Sequence, residues 1–414
     1  DMHQGLKAPL VLIACRSVDF FGDAAVCLRL AQGLVARGAQ VRILADPRAL
    51  AHLQSMAPAC AWEPPQGFVA TSALAYWAMD DLCRPDHGLP LQRADVLLEA
   101  FQVEIPQAIF NQLPQATLRY LVDYLALEEW TTDCQWMAAP DPVYPKKPRY
   151  WLAPSLRQDG PGVIQGQRPA GGGTGFQANR QALRRSMIKR CEQALSADRR
   201  SSRDQHEEDE AVFLVFAYCY PNTPLPAFAQ SLSRALGQLR EGGEGAENQA
   251  QAGPSPSLVR AQRVLVFEPH HPADPDAGLL SQHEFDQCMA ASDLVLVRGE
   301  DSFGTALFYA SQWGLPFVWQ PYRQADDAHL KKLDAWLAQA ALSIPDWSRL
   351  HRYFSPAGSH PESQSDLTEI LRALLTNWQA VQDACKSLGQ AQFQRPSFEE
   401  SLLTHWRSNR QQTR

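Results

Sequence analysis

Leu10-Val11-Leu12-Ile13, then Val18-Asp19-Phe20-Phe21-Gly22-Asp23, then Val26, Leu30 and Leu34 at helical spacing before Gly38, then Val41-Arg42-Ile43-Leu44: this opening decides the fold. A short apolar run, a glycine turn, an apolar helical period and a second short run spell strand, loop, helix, strand. Strands joined in this way lie parallel with a right-handed crossover, so the chain begins as a βαβ unit. Val96-Leu97-Leu98 and Leu118-Arg119-Tyr120-Leu121 are spaced as later strands of the same sheet, which makes the first domain Rossmann-like.

Between about Asp159 and Glu210 the text changes to glycine, proline and glutamine and then to a run rich in arginine, serine and glutamate. This reads as a mobile loop and a polar helix joining two domains. Val212 to Phe216 opens the second domain, and Val264-Leu265-Val266-Phe267, Leu294-Val295-Leu296-Val297 and Phe317-Val318-Trp319 supply its further strands. Glu241 to Ser257, full of Gly, Ala, Gln and Pro, reads as a disordered insertion. The expected class is α/β of GT-B type, two Rossmann-like domains facing a cleft that holds ligands at the carboxyl ends of the strands. Phe398, Leu402, Leu403 and Trp406 predict a last helix that crosses back onto the first domain. The expected division is 1–195 together with 393–414 for the first domain, and 196–392 for the second.

Composition bounds the function. The 414 residues suffice for two cores. A net charge of -7 argues against sequence-independent nucleic-acid binding, which needs a basic surface. The nine cysteines include no Cys-x-x-Cys pair, which suits reduced thiols in the cytoplasm better than a zinc or disulfide framework. Ala8 to Cys15 reads as a buried first strand rather than the apolar core of a signal peptide. No stretch reaches the roughly twenty apolar residues of a membrane span. A Gly-x-Gly-x-x-Gly after the first strand is absent, against an NAD enzyme.

Two turns carry candidate chemistry. Asp19 and Asp23 flank a glycine turn between the first strand and its helix, where paired carboxylates can hold a guanidinium; Asp23 serves equally well, on spacing alone, as a helix cap. Arg298-Gly299-Glu300-Asp301-Ser302 joins a strand to a helix, so backbone N–H groups and Arg298 suit a diphosphate; an ordinary capped helix start is the competing reading. Phe216, Tyr218 and Phe267 stand at strand ends and Phe285 on the following helix, positions that suit either core packing or stacking on a nucleobase. His270-His271 reads as a solvated turn rather than a metal site.

These motifs resemble the elongation factor P arginine rhamnosyltransferases, the EarP family. The resemblance runs through Val18 to Asp23, Val26 to Ala31, Glu99-Ala100-Phe101 with Glu104 and Pro106, Val297 to Phe303, Pro316 to Trp319, and Asp326-Asp327-Ala328-His329-Leu330 with Lys332 and Leu333. It implies an inverting, metal-independent enzyme without cofactor that moves rhamnose from dTDP-β-L-rhamnose to an arginine of elongation factor P. By that resemblance Asp23 is the general base, Asp19 its partner and Glu300 a further catalytic candidate. Phe216, Tyr218, Phe267 and Phe285 surround the nucleoside, while Arg298, Glu300, Asp301, Ser302 and Tyr322 contact diphosphate and rhamnose. The chain departs from the family pattern at Phe20, at Ala24-Ala25 and over Gly304 to Gln312. A GT-B enzyme with another sugar donor and acceptor, and a silent module that binds the factor, are the rival readings.

Overall fold

In the computed structural model the described residues are 7–18, 21–58, 61–62, 72–145, 147, 149–169, 174–196, 212–243, 258, 260–269, 280–323, 327–340, 344–355 and 364–412. The chain forms two compact units, residues 1–168 with 392–414, and residues 169–391. Most of the Glu241 to Ser257 insertion lies outside the described residues.

Unit 1 is built on β1 (Leu10–Cys15), β2 (Gln40–Ala45), β3 (Ala61–Trp62), β4 (Leu74–Ala78), β5 (Val96–Ala100), β6 (Leu118–Val122), β7 (Ala138–Ala139) and β8 (Arg149–Leu152). They form one sheet in the order β3-β4-β2-β1-β5-β6-β8-β7, parallel except for the short β7. β1 is central and buried along its whole length, as a strand covered on both faces must be. Its alternate residues feed two cores: Val11 and Ile13 pack toward helix Gly22–Ala36, Leu10 and Leu12 toward the opposite side. Strand order reverses between β1 and β5, which places a crevice at their carboxyl ends.

The last helix, Phe398–Gln412, completes unit 1, with Phe398, Leu402, Leu403 and Trp406 buried among the residues of β1, β2 and helix Gly22–Ala36. A polar lock fixes it. The buried Glu399 carboxylate accepts from Gly166 N at 2.8 Å and Gln165 N at 3.2 Å. Gly33 makes room for it, since a Cβ there would overlap the Glu399 carboxylate. A second buried charge cluster lies across β5, β6 and β8, where Arg119 grips Glu99 through Nε (3.0 Å) and Nη2 (2.9 Å) and also pairs with Asp141. This gives Glu99 of the Glu99-Ala100-Phe101 motif a structural partner.

Unit 2 carries β9 (Val212–Ala217), β10 (Arg263–Phe267), β11 (Leu294–Arg298) and β12 (Phe317–Gln320) in the parallel order β10-β9-β11-β12, with the reversal between β9 and β11. The polar helix Thr174–Ser196, assigned from sequence to the end of the first domain, packs in unit 2 instead. Arg184 helps to hold it there, donating to Ala291 O, Val212 O and the Asp293 carboxylate at 2.8 to 3.0 Å, and Met187, Ile188 and Cys191 are buried. Gly304 to Gln312, the stretch that departs from the family pattern, is absorbed in one unbroken helix, Asp301–Trp313.

Replacing Glu399 with alanine leaves two backbone donors without their acceptor, so Glu399→Ala is expected to lower the unfolding free energy by about 2 kcal/mol. Denaturant titration measures this. A loss below about 0.5 kcal/mol, a fraction of one net hydrogen bond, would show that apolar packing alone holds the helix.

Candidate active site

Each unit gathers polar side chains at the carboxyl ends of its sheet. In unit 1, Asp23 lies in the first turn of helix Gly22–Ala36, just after β1, where the positive helix end favours a carboxylate. It does not cap that helix. Its Oδ2 accepts from Val18 N, five residues earlier, at 2.8 Å, and Oδ1 accepts from Tyr124 Oη at 3.3 Å. The carboxylate thus closes the β1 turn on itself, and Asp23 is buried, 2% exposed. Tyr124 follows β6, and its ring stacks on Phe101, which follows β5, with centroids 4.4 Å apart and planes at 11°. Phe101 takes a positive φ of 54°, a costly conformation for a bulky residue. Asp19 and Phe20 lie outside the described residues.

In unit 2 the chain leaves β9 as Tyr218-Cys219-Tyr220 and leaves β11 as Arg298-Gly299-Glu300, on either side of the strand-order reversal. The Arg298 guanidinium sits 4.3 Å from the Tyr218 ring and 4.8 Å from the Tyr220 ring. It also donates to Tyr218 Oη (3.1 Å) and Cys219 O (3.3 Å). Held between two rings, the cation is positioned with little further loss of side-chain freedom. Burial pushes the Cys219 thiol up to about 12, so it is no nucleophile at neutral pH.

Gly299 adopts a positive φ of 65°, which lets the turn fold sharply into helix Asp301–Trp313. Glu300 stands at the helix start, 3.8 Å from Lys332 Nζ. Asp301 accepts from Gln282 Nε2 at 3.4 Å. The Ser302 hydroxyl is turned inward and donates to Arg298 O at 2.5 Å. Tyr322, 49% exposed, meets the edge of Tyr220 at 5.8 Å.

The aromatic residues divide by depth. Phe216 and Phe267 are buried at the ends of β9 and β10, with ring centroids 6.1 Å apart. Phe285 stands edge-on to both Phe216 (5.0 Å) and Tyr218 (5.1 Å), half-buried like Tyr218. The deeper pair therefore supports the ring edges that remain accessible.

Behind the turn runs a support that the sequence reading missed. Trp319 Nε1 donates to Gly299 O at 2.7 Å, and its ring stacks on Phe303 at 4.6 Å. Trp319 N in turn donates to His351 Nε2 at 3.1 Å. His351 Nδ1 must then carry the ring proton, which it donates to Trp347 O at 2.9 Å. Gln320 bridges Tyr220 N and Phe354 O. No periodicity betrays a support whose members come from helix Pro345–Phe354 and the end of β12.

Among the described residues no group of three or more His, Cys, Asp or Glu side chains is arranged to hold a metal ion, and His270-His271 lies outside them. No described helix is long and apolar enough to cross a membrane.

The family model for elongation factor P (EF-P) rhamnosyltransferase EarP matches residues 11–407. The chain belongs to the EarP family. Among family relatives, the protein-arginine rhamnosyltransferase of Pseudomonas putida KT2440 is 26% identical over 426 residues, covering 96% of this chain and 98% of that one. The enzyme of the same name from Pseudomonas aeruginosa is 27% identical, covering 89% of this chain and 86% of its own. A solved structure concerning EarP-mediated arginine glycosylation of translation elongation factor EF-P aligns at a TM-score of 0.46 and 18% identity, over 96% of this chain and 99% of that one.

Burial lowers the His351 pKa from 6.5 to about 4. The unfolded chain therefore takes up this proton below about 6.5, and the folded chain only below about 4. The stabilisation is complete above pH 6.5 and is lost as pH falls from there toward 4, by about 3 kcal/mol. Unfolding free energies of the native protein and His351→Gln at pH 7 and pH 4.5 should show a smaller pH loss in the variant. Equal losses would contradict a neutral His351 beneath the turn.

Proposed function

We propose that the chain transfers rhamnose from dTDP-β-L-rhamnose to an arginine side chain of translation elongation factor P. The observation that carries this reading is the family match, which spans both sheets and both polar turns. On this reading the labour is divided: unit 1 activates the acceptor and unit 2 holds the donor. The compartment is the cytoplasm, where translation factor and nucleotide sugar meet.

Arginine stays protonated at physiological pH, so its guanidinium attacks only when a carboxylate orients it and takes a proton as the new bond forms. Asp23 fills that role, with Asp19 as its partner. A guanidinium nitrogen displaces the diphosphate at the anomeric carbon, the carbon–oxygen bond to dTDP breaks, the proton passes to Asp23, and the centre inverts. Arg298 and the N–H groups opening helix Asp301–Trp313 stabilise the charge that grows on the departing diphosphate. Tyr218 and Phe285 face the nucleoside over the supporting Phe216 and Phe267. Glu300, Asp301, Ser302 and Tyr322 complete the diphosphate and sugar contacts. No divalent ion is needed, because Arg298 and the helix end carry the electrostatic task.

Asp23→Asn keeps the side chain's shape but cannot accept the guanidinium proton. Turnover is expected to fall by about 10²–10⁴-fold, the range for loss of a general base, while calorimetry shows unchanged dTDP affinity in the presence of chelator. Near-normal turnover in the variant, or dTDP binding only with added metal, would overturn the corresponding part of the proposal.

A further inference from the structure

We infer that Tyr124 holds the place of the acceptor guanidinium on Asp23 and must swing aside before the acceptor arginine can bind. The inference rests on the reading of Asp23 as the base and adds a residue that reading does not use.

Asp23 is 2% exposed, yet a base must touch the atom whose proton it takes. Its two oxygens have donors of different kinds. Val18 N, on Oδ2 at 2.8 Å, is main chain and is fixed by the turn that leaves β1. Tyr124 Oη, on Oδ1 at 3.3 Å, belongs to a side chain that is 37% exposed, and the bond is long for an O–H donor.

The backbone beneath Tyr124 does not need to move. Asp123 Oδ1 accepts from Tyr124 N at 2.8 Å, Asp123 Oδ2 accepts from Trp151 Nε1 at 3.1 Å, and Asp123 N donates to Leu152 O at 2.9 Å. Rotation of the side chain suffices, and its cost includes the stacking on Phe101 and the hydrogen bond to Asp23. A guanidinium arriving at Oδ1 replaces a bond from an uncharged donor with one in which both partners are charged. The exchange favours arginine over neutral side chains, which bring no positive charge to the carboxylate, so the same tyrosine that covers the carboxylate also selects the acceptor.

The test is steady-state kinetics with intact elongation factor P as varied substrate and saturating dTDP-rhamnose. Tyr124→Phe keeps the ring on Phe101 and removes the hydroxyl. The acceptor KM should fall by about two- to tenfold, the equivalent of one ordinary hydrogen bond, with kcat and dTDP affinity unchanged. A KM that stays the same or rises, or a kcat that drops with KM unchanged, overturns the inference, because the phenol would then serve the bound state. Asp23→Asn assayed in parallel separates the two claims. If it remains active, the reading of the base fails; if it is inactive while Tyr124→Phe raises KM, only the place-holder fails.

Discussion

A parallel sheet can open a crevice only where its strand order reverses, because there the crossover helices leave toward opposite faces. Both sheets obey this constraint, at β1 and β5 in unit 1 and at β9 and β11 in unit 2. The segments that leave those strands bring Asp23 and Phe101 to one reversal, and Tyr218 and Arg298 to the other. Tyr124 and Tyr322 leave the next strands outward. The chemistry is therefore placed by topology, and the side chains only refine it.

What refines it is a supply of buried polar partners. Asp23 is held by a main-chain N–H, Arg298 by two tyrosine rings and a carbonyl, and the Gly299 turn by Trp319 with His351 beneath it. Each partner is itself fixed by packing, so the groups that meet charge lose little freedom when they do so. The last helix contributes in the same way at a distance, since Glu399 pins Gln165 and Gly166 while its neighbours fill the core under β1.

Much of this was legible in the sequence. Buried parallel strands appear as short apolar runs, so β1, β2, β5, β6 and the four strands of unit 2 stand close to where the runs predict them. Leu74–Ala78 was missed because its alanines and aromatics form no continuous aliphatic run, and Arg149–Leu152 because arginine opens it next to a Pro-Lys-Lys-Pro segment. The helix Thr174–Ser196 is legible as polar, but its place in unit 2 is not, since its attachment combines the reach of Arg180 and Arg184 to Asp293 with only a short buried apolar stretch of Met187, Ile188 and Cys191. The two polar turns were visible as motifs. Tyr124, Tyr220 and His351 were not, because what gives them meaning is a neighbour distant in sequence: Asp23, Arg298 and Trp319 respectively.

Rhamnosyl transfer leaves a covalent product, which intact-mass analysis reads out. Purified elongation factor P incubated with this protein and dTDP-rhamnose should gain the mass of one deoxyhexose, and fragment spectra should place it on a single arginine. Elongation factor P of unchanged mass, while the protein is folded and binds dTDP, would contradict the account.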